Sequence, residues 1–165
     1  MNDKFEILLR ELDLTAQAAQ FQGCRLDKLV IESQTGIYHF HFSFNRMLPA
    51  DLCLNFYQRL VTHFLKIKGV NQVLFSTNLE NSEECPLEYI GVVKALLYSR
   101  DVSFKAIDDY DIKCENNRLF IDIKTEQEKR LLTERFKEPI EKLYRDLGFD
   151  AIFDVHLCEN GQSVI

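Results

Sequence analysis

The chain has 165 residues, 46% hydrophobic and 28% charged, with a formal net charge of −6. This composition excludes a disordered tail, and the length allows one ordinary domain or two small ones that lean on each other. The acidic balance argues against binding driven by neutralisation of nucleic-acid phosphates, with Lys66 and Lys68 left as a local basic patch.

Phe5, Leu8, Leu9 and Leu12 have helical spacing, and a second short helical stretch is expected over Leu14 to Phe21, stopped at Gly23. Leu29 and Ile31 then alternate as in a strand. Ser33-Gln34-Thr35-Gly36 is turn chemistry, and Tyr38, Phe40, Phe42 and Phe44 recur at every second residue. This is an antiparallel hairpin with an aromatic buried face. Leu48-Pro49 opens a helix whose stripe is Leu52, Phe56, Leu60 and Phe64, stopped at Gly69. Val70 to Phe75 returns to the sheet. Thr77 to Glu84 is polar and acidic and reads as a boundary.

The same order then recurs. A helix is expected over Pro86 to Ser99, with Leu87, Ile90, Lys94 and Leu97 on adjoining turns. Ile112 and Cys114 form a strand face, Asn116-Asn117 a tight turn, and Leu119, Ile121 and Ile123 the returning strand. Thr125 to Glu128 is a capping box, opening a helix through Leu132, Phe136, Ile140 and Tyr144 that Pro139 is expected to kink or split. After Gly148, a last strand runs from Phe149 to Leu157, with Phe153, Val155 and Leu157 on one face.

The chain therefore reads as α+β, with two tandem small α-β-β-α-β units over residues 1–80 and 81–165, the element order of a type II KH-like fold. The glycines contain no Gly-x-x-Gly clamp, which turns the reading from single-strand binding towards protein contact.

Cys24, Cys53, Cys85, Cys114 and Cys158 are odd in number, widely spaced and without a C-x-x-C pair. They read as small buried hydrophobes in a reducing cytosol. The start is unlike a signal peptide and no apolar run reaches the roughly 18–20 residues that span a bilayer, so a cytoplasmic protein without membrane contact is expected.

Chemistry-bearing residues are few. Asp108, Asp109 and Asp111 resemble a two-metal carboxylate cluster but read as a solvated loop. Phe153-Asp154-Val155-His156 has only one of the two carboxylates that a proofreading exonuclease motif begins with. Cys53 and His63 are ten positions apart on one helix and point to different faces. His39 and His41 share the strand face opposite the aromatics. They could start a metal site but lack a third ligand nearby, and they are read as a contact surface. No catalytic residue, metal site or cofactor is assigned.

Several stretches carry a family resemblance. These are Lys4 to Leu9, Leu26 to Ile31, Tyr38 to Phe44 followed by Met47-Leu48-Pro49, Leu119 to Lys124, and Tyr144 to Phe149. They resemble the N-terminal region of PolC-type DNA polymerase III, most specifically in the hairpin and Leu-Pro segment. The resemblance implies two small domains, related to a KH-like domain of the clamp-loader tau subunit, that precede OB-fold, exonuclease and polymerase modules. It implies a non-catalytic scaffolding role for this chain in chromosomal DNA replication. The implied partners are replisome proteins, such as clamp-loader tau or helicase-loading components, or the polymerase's own downstream domains. The alternative is an accessory single-stranded nucleic-acid-binding module, with a groove drawn from Lys66, Lys68, Lys94, Arg100 and Lys105.

Overall fold

The computed structural model describes residues 1–80 and 87–158. It is α+β and divides into two compact units, Met1–Ser82 with Asp146–Gly148, and Glu83–Arg145 with Phe149–Ile165. Each carries one three-stranded sheet.

In the first unit, α1 spans Asp3–Glu11 and is followed by a 3-10 helix, Thr15–Phe21. Strands β1 (Cys24–Glu32) and β2 (Ile37–Phe44) pair antiparallel. Helix α2 (Ala50–Leu65) then crosses back so that β3 (Gln72–Leu79) runs parallel to β2, and the strand order is β1-β2-β3. The hairpin aromatics make the core. Phe42 and Phe44 pack on Phe5 of α1 and on Phe56 of α2, while Phe40 meets Phe64 with ring centroids 4.8 Å apart. Both helices thus cover the same sheet face. Apolar residues in β1 switch from even positions (Cys24, Leu26) to odd ones (Leu29, Ile31) because Asp27 forms a β-bulge, which keeps all four opposite the β2 aromatics.

Asn2 makes three bonds. Its Oδ1 accepts from the N–H of Phe5, capping α1, and from the N–H of Leu26, while its Nδ2 donates to the Leu26 carbonyl at 2.9 Å. The first half of the β1 edge is therefore occupied by a side chain. At the hairpin turn Gly36 has φ +71°, and a Cβ there would stand 2.3 Å from the Gly69 carbonyl oxygen, so both conformation and space require glycine.

In the second unit, a 3-10 turn Leu87–Tyr89 leads into α3 (Ile90–Arg100), and a 3-10 helix, Val102–Asp109, follows. Strands β4 (Lys113–Glu115) and β5 (Arg118–Ile123) pair antiparallel. Helix α4 (Glu126–Asp146) then returns the chain to β6 (Ile152–Leu157), parallel to β5, in the order β4-β5-β6. Thr125 Oγ1 accepts from the N–H of Glu128 at 3.2 Å, the forward half of the capping box. At the far end Gly148 has φ +100°, and the N–H of Phe149 reaches back to the Tyr144 carbonyl at 2.8 Å, a Schellman stop.

Several sequence expectations are corrected. Pro139 does not split α4: the missing N–H removes one bond, and the buried stripe Leu132, Phe136, Ile140, Leu143 and Tyr144 carries the helix through. The buried stripe of α3 is Val92, Val93, Leu96 and Leu97, with Leu87 exposed before the helix begins; apart from Lys94 the polar residues of α3 lie late, so periodicity was weakly marked. Strand β3 begins at Gln72 and runs to Leu79, through the first residues of the expected boundary. Thr77 belongs to it because its hydroxyl is satisfied by the Tyr57 hydroxyl inside the core. The remainder of that boundary, Asn81 to Glu84, lies outside the described residues, as do Cys85 and Pro86. Cys24 and Cys53 are buried, with burial pushing the Cys24 thiol up to about 11, whereas Cys114 and Cys158 are only half-buried.

Candidate functional site

With α1 and α2 on the aromatic face of the first sheet, its opposite face is left to His39, His41, Ser43, Leu74 and Ser76, joined from β1 by Lys28 and Val30. His39 and His41 are half-buried and stack, ring centroids 4.1 Å apart and 20° from parallel. The His39 Nε2 shares a hydrogen bond of 2.7 Å with the Ser76 hydroxyl, which fixes the ring from β3. Burial lowers the pKa of His41, and the neighbouring His39 and Lys28 push it further the same way against Asp27, so its neutral form is favoured. Ser43 donates to the Asp27 carboxylate, so the bulge residue also closes one corner of this face.

Lys66 and Lys68 lie beyond the C-terminus of α2, at the end where the hairpin turn meets the α2–β3 loop. Gly36 O accepts from Asn71 N at 2.7 Å there, and Asn71 Nδ2 donates to Thr35 O at 2.9 Å. Both lysines are exposed, a position that also complements the helix dipole. Residues 1–80 hold eight Lys and Arg against eight Asp and Glu, while residues 81–165 hold twelve against eighteen, so the whole acidic excess belongs to the second stretch. Of the other basic candidates, Lys94 is paired to Asp108 at 3.1 Å and Lys105 lies 6.0 Å over the Tyr98 ring. These belong to the second unit and Lys66 and Lys68 to the first.

The carboxylate and thiol constellations resolve into structural roles. Asp108 accepts from the Tyr98 hydroxyl at 2.7 Å as well as from Lys94, which together hold its carboxyl below the usual carboxylate range. It is thereby committed to α3 and not pooled with Asp109 and Asp111. Asp154 binds Arg118 at 2.7 Å and Lys137 at 3.2 Å. Cys53 is buried and His63 faces Glu11 at 3.4 Å, so the two do not meet. Among the described residues no group of three or more His, Cys, Asp or Glu side chains could hold a metal ion, and no helix is long and apolar enough to cross a membrane.

Sequence reasoning missed one construction. From α4, Glu141 Oε2 accepts from the Phe153 N–H at 2.9 Å, and Lys137 Nζ donates to the Phe153 carbonyl at 2.8 Å while pairing with Glu141 at 2.8 Å. One i,i+4 ion pair therefore occupies both outward backbone groups of Phe153, the second residue of edge strand β6. The Lys137…Glu141 spacing was the available signal, but it reads as an ordinary exposed helix pair until β6 is placed beside it.

Residues 4–72 match the family model described as the DNA polymerase III polC-type N-terminus I. The chain is 26% identical over 165 residues to the DNA polymerase III PolC-type of Bacillus subtilis and 25% identical over 167 residues to that of Halalkalibacterium halodurans, in each case covering 98% of this chain and 12% of the relative. The Streptococcus sanguinis protein of the same name is 29% identical over 83 residues, 48% of this chain and 6% of the relative. The chain thus spans about one eighth or less of the length of these relatives. No solved structure matches it. Residues 4–72 are thus similar to the N-terminus I of PolC-type DNA polymerase III, and nearly the whole chain is similar to PolC-type polymerases of which it spans about one eighth.

Proposed function

We propose that this chain is a non-catalytic protein-interaction and scaffolding region of a bacterial replicative DNA polymerase of the PolC type, acting in chromosomal DNA replication. In this reading residues 1–80 and 81–165 are two tandem KH-like domains. Polymerisation and 3′–5′ proofreading belong to parts of the longer polypeptide with which the chain does not align. The supporting observation is the first sheet's face opposite α1 and α2, where half-buried His39 and His41 stack on each other and His39 is tied to Ser76 of β3. A rigid pair of planar polar rings on an open sheet offers contact area at small entropic cost, as recognition surfaces require. The contacted partner is a replisome protein, such as clamp-loader tau or a helicase-loading component, or a downstream domain of the same polymerase.

The test uses the 165-residue chain, purified tau and helicase-loading proteins from the same organism, the polymerase's downstream domains, and an oligothymidylate. Binding of one of the proteins is expected, weakened about tenfold by the double substitution His39→Ala with His41→Ala at unchanged circular dichroism and melting temperature. Equal binding by the double variant rejects the surface. Binding of the oligonucleotide alone, falling steeply with salt, rejects the protein-contact reading in favour of a nucleic-acid module.

A further inference from the structure

The two sheets differ in how they finish their outer edges. Strand β6 has the outward N–H and C=O of Phe153, near its start, taken by Glu141 and Lys137, and β4 is only three residues long. Strand β1 is nine residues long, and its first half is closed at Leu26 by Asn2. Among the described residues the second half has no such cover. Antiparallel ladders alternate, so with Leu26 facing outward before the bulge at Asp27, Leu29 and Ile31 turn their N–H and C=O groups to the open side after it. The side chains agree: Val30 is 42% and Ile31 51% exposed, large apolar residues on an edge where proteins usually place charges or proline.

The sequence of this half-edge is Lys28-Leu29-Val30-Ile31-Glu32. It is complementary to itself. Paired antiparallel with a second copy about Val30, Lys28 stands opposite Glu32 of the partner at both ends, Leu29 stands opposite Ile31, and Val30 meets Val30. The phase also fits. Leu29 and Ile31, the two residues with outward backbone groups, become the hydrogen-bonded pairs, giving four N–H···O=C bonds across the two-fold axis. Lys28 and Glu32 fall at non-bonded positions, where opposed side chains come closest. Both lie on the face of Val30 and His39, since Lys28 is opposite His41 and Val30 opposite His39 within the sheet. Neither charge is spent elsewhere among the ion pairs of the described residues, Glu32 receiving only a long hydroxyl contact from Thr35.

We propose that the first unit pairs with a second copy of this chain through residues Lys28–Glu32 of β1, joining two three-stranded sheets into one six-stranded sheet. The bulge and the Asn2 clamp confine the pairing to five residues, so the dimer is weak and forms at high local concentration. This pairing goes beyond the function proposed above: it runs along the strand edge, whose Lys28 and Val30 border the His39–His41 face, and it is read by the oligomeric state whereas that reading is read by partner capture.

Sedimentation equilibrium of the 165-residue chain from about 10 µM to about 1 mM is expected to show reversible dimerisation. Lys28→Glu sets two carboxylates against each other at both ends of the pairing, and Glu32→Lys does the same with two ammonium groups. Each single variant should weaken the dimer about tenfold, and the double variant Lys28→Glu with Glu32→Lys, which restores opposite charges in reversed order, should return it to within about threefold of the native value. Circular dichroism of each variant reports folding separately. A chain that stays monomeric at all concentrations overturns the proposal. So does a dimer indifferent to the single substitutions, or one that the double variant fails to restore.

Discussion

The two units build the same topology by different chemistry. The first is held by rings: Phe5, Phe21, Phe42, Phe44 and Tyr57 all lie within 6.4 Å of the Phe56 centroid, in orientations from stacked to edge-on. The second has a sheet face of Leu119, Ile121 and Ile123 on β5 beside Phe153 and Val155 on β6, and ties its outer surface with charge, Lys113 to Asp122 and Arg118 to Asp154 across neighbouring strands. Its outer face is thus paired by charge and its β6 edge clamped at Phe153. The first unit carries a histidine stack tied at His39 to Ser76 and, among the described residues, leaves half an edge unpaired. The lesson is that one strand order can carry a face tied by ion pairs or a face carrying a histidine stack, and the polar decoration, not the strand order, separates the two.

The sharpest way to break this comparison is Phe56→Ala. Removing a fully buried ring that touches five others should cost about 3–5 kcal/mol, through lost burial and a cavity the rigid neighbours cannot fill. Native-state hydrogen exchange at the Phe40–Phe44 amides measures it. If the β5 amides lose protection to the same degree, the two cores open as one and their treatment as separately finished units fails.

In the second unit the matching test is smaller. Glu141→Ala leaves the buried Phe153 N–H without its acceptor and Lys137 without its closest anion, and should destabilise by about 1–3 kcal/mol. Glu141→Gln keeps an acceptor for Phe153 and should recover part of the loss. Equal losses would assign the effect to charge and remove the backbone clamp from the account. Urea unfolding of the two variants beside the native chain decides it.

Much of this was legible beforehand, and the pattern of misses is physical. The period-2 aromatics of β2 and the apolar stripe of α2 are signals of burial, which one sequence carries in full. The bulge at Asp27 was present as a change of parity between Leu26 and Leu29, visible once the apolar positions are counted across both. The Asn2 bridge, the Lys137–Glu141 clamp and the Asp108 attachment to α3 were not legible, because each joins residues whose proximity is made by the fold: Asn2 is 24 positions from Leu26 and Glu141 is 12 from Phe153. The 3-10 helix over Val102–Asp109 was not anticipated, its end at Asp108 and Asp109 being read as a solvated loop, for a related reason. Its only buried residue is Ile107, too little for periodicity to register.

The finest distinction between the units is electrostatic and concerns Asp154. Its partial burial disfavours the charged form, but the Lys137 ammonium and the Arg118 guanidinium outweigh that and hold its pKa below the usual carboxylate range. A carboxyl whose folded pKa is depressed adds stability that is complete above its unfolded value of about 3.9 and is lost as pH falls through the folded value. Lys137 mirrors this: burial works against its charge, the bonds to Glu141 and Asp154 prevail, and its pKa is raised. Its contribution is complete below the unfolded value of about 10.4 and is lost as pH rises through the folded one. The stability difference between the native chain and Asp154→Asn should therefore be level across neutral pH and shrink on the acid side below about pH 4. Melting temperatures of both proteins, taken in parallel from neutral pH downward at low and high salt, measure it. The two cations reach Asp154 from different elements, Arg118 from β5 and Lys137 from α4, so the level difference should survive added salt better than an exposed pair would. A difference that salt abolishes would show the network to be surface charge only, and the closed second unit would then owe its finish to the Phe153 clamp alone.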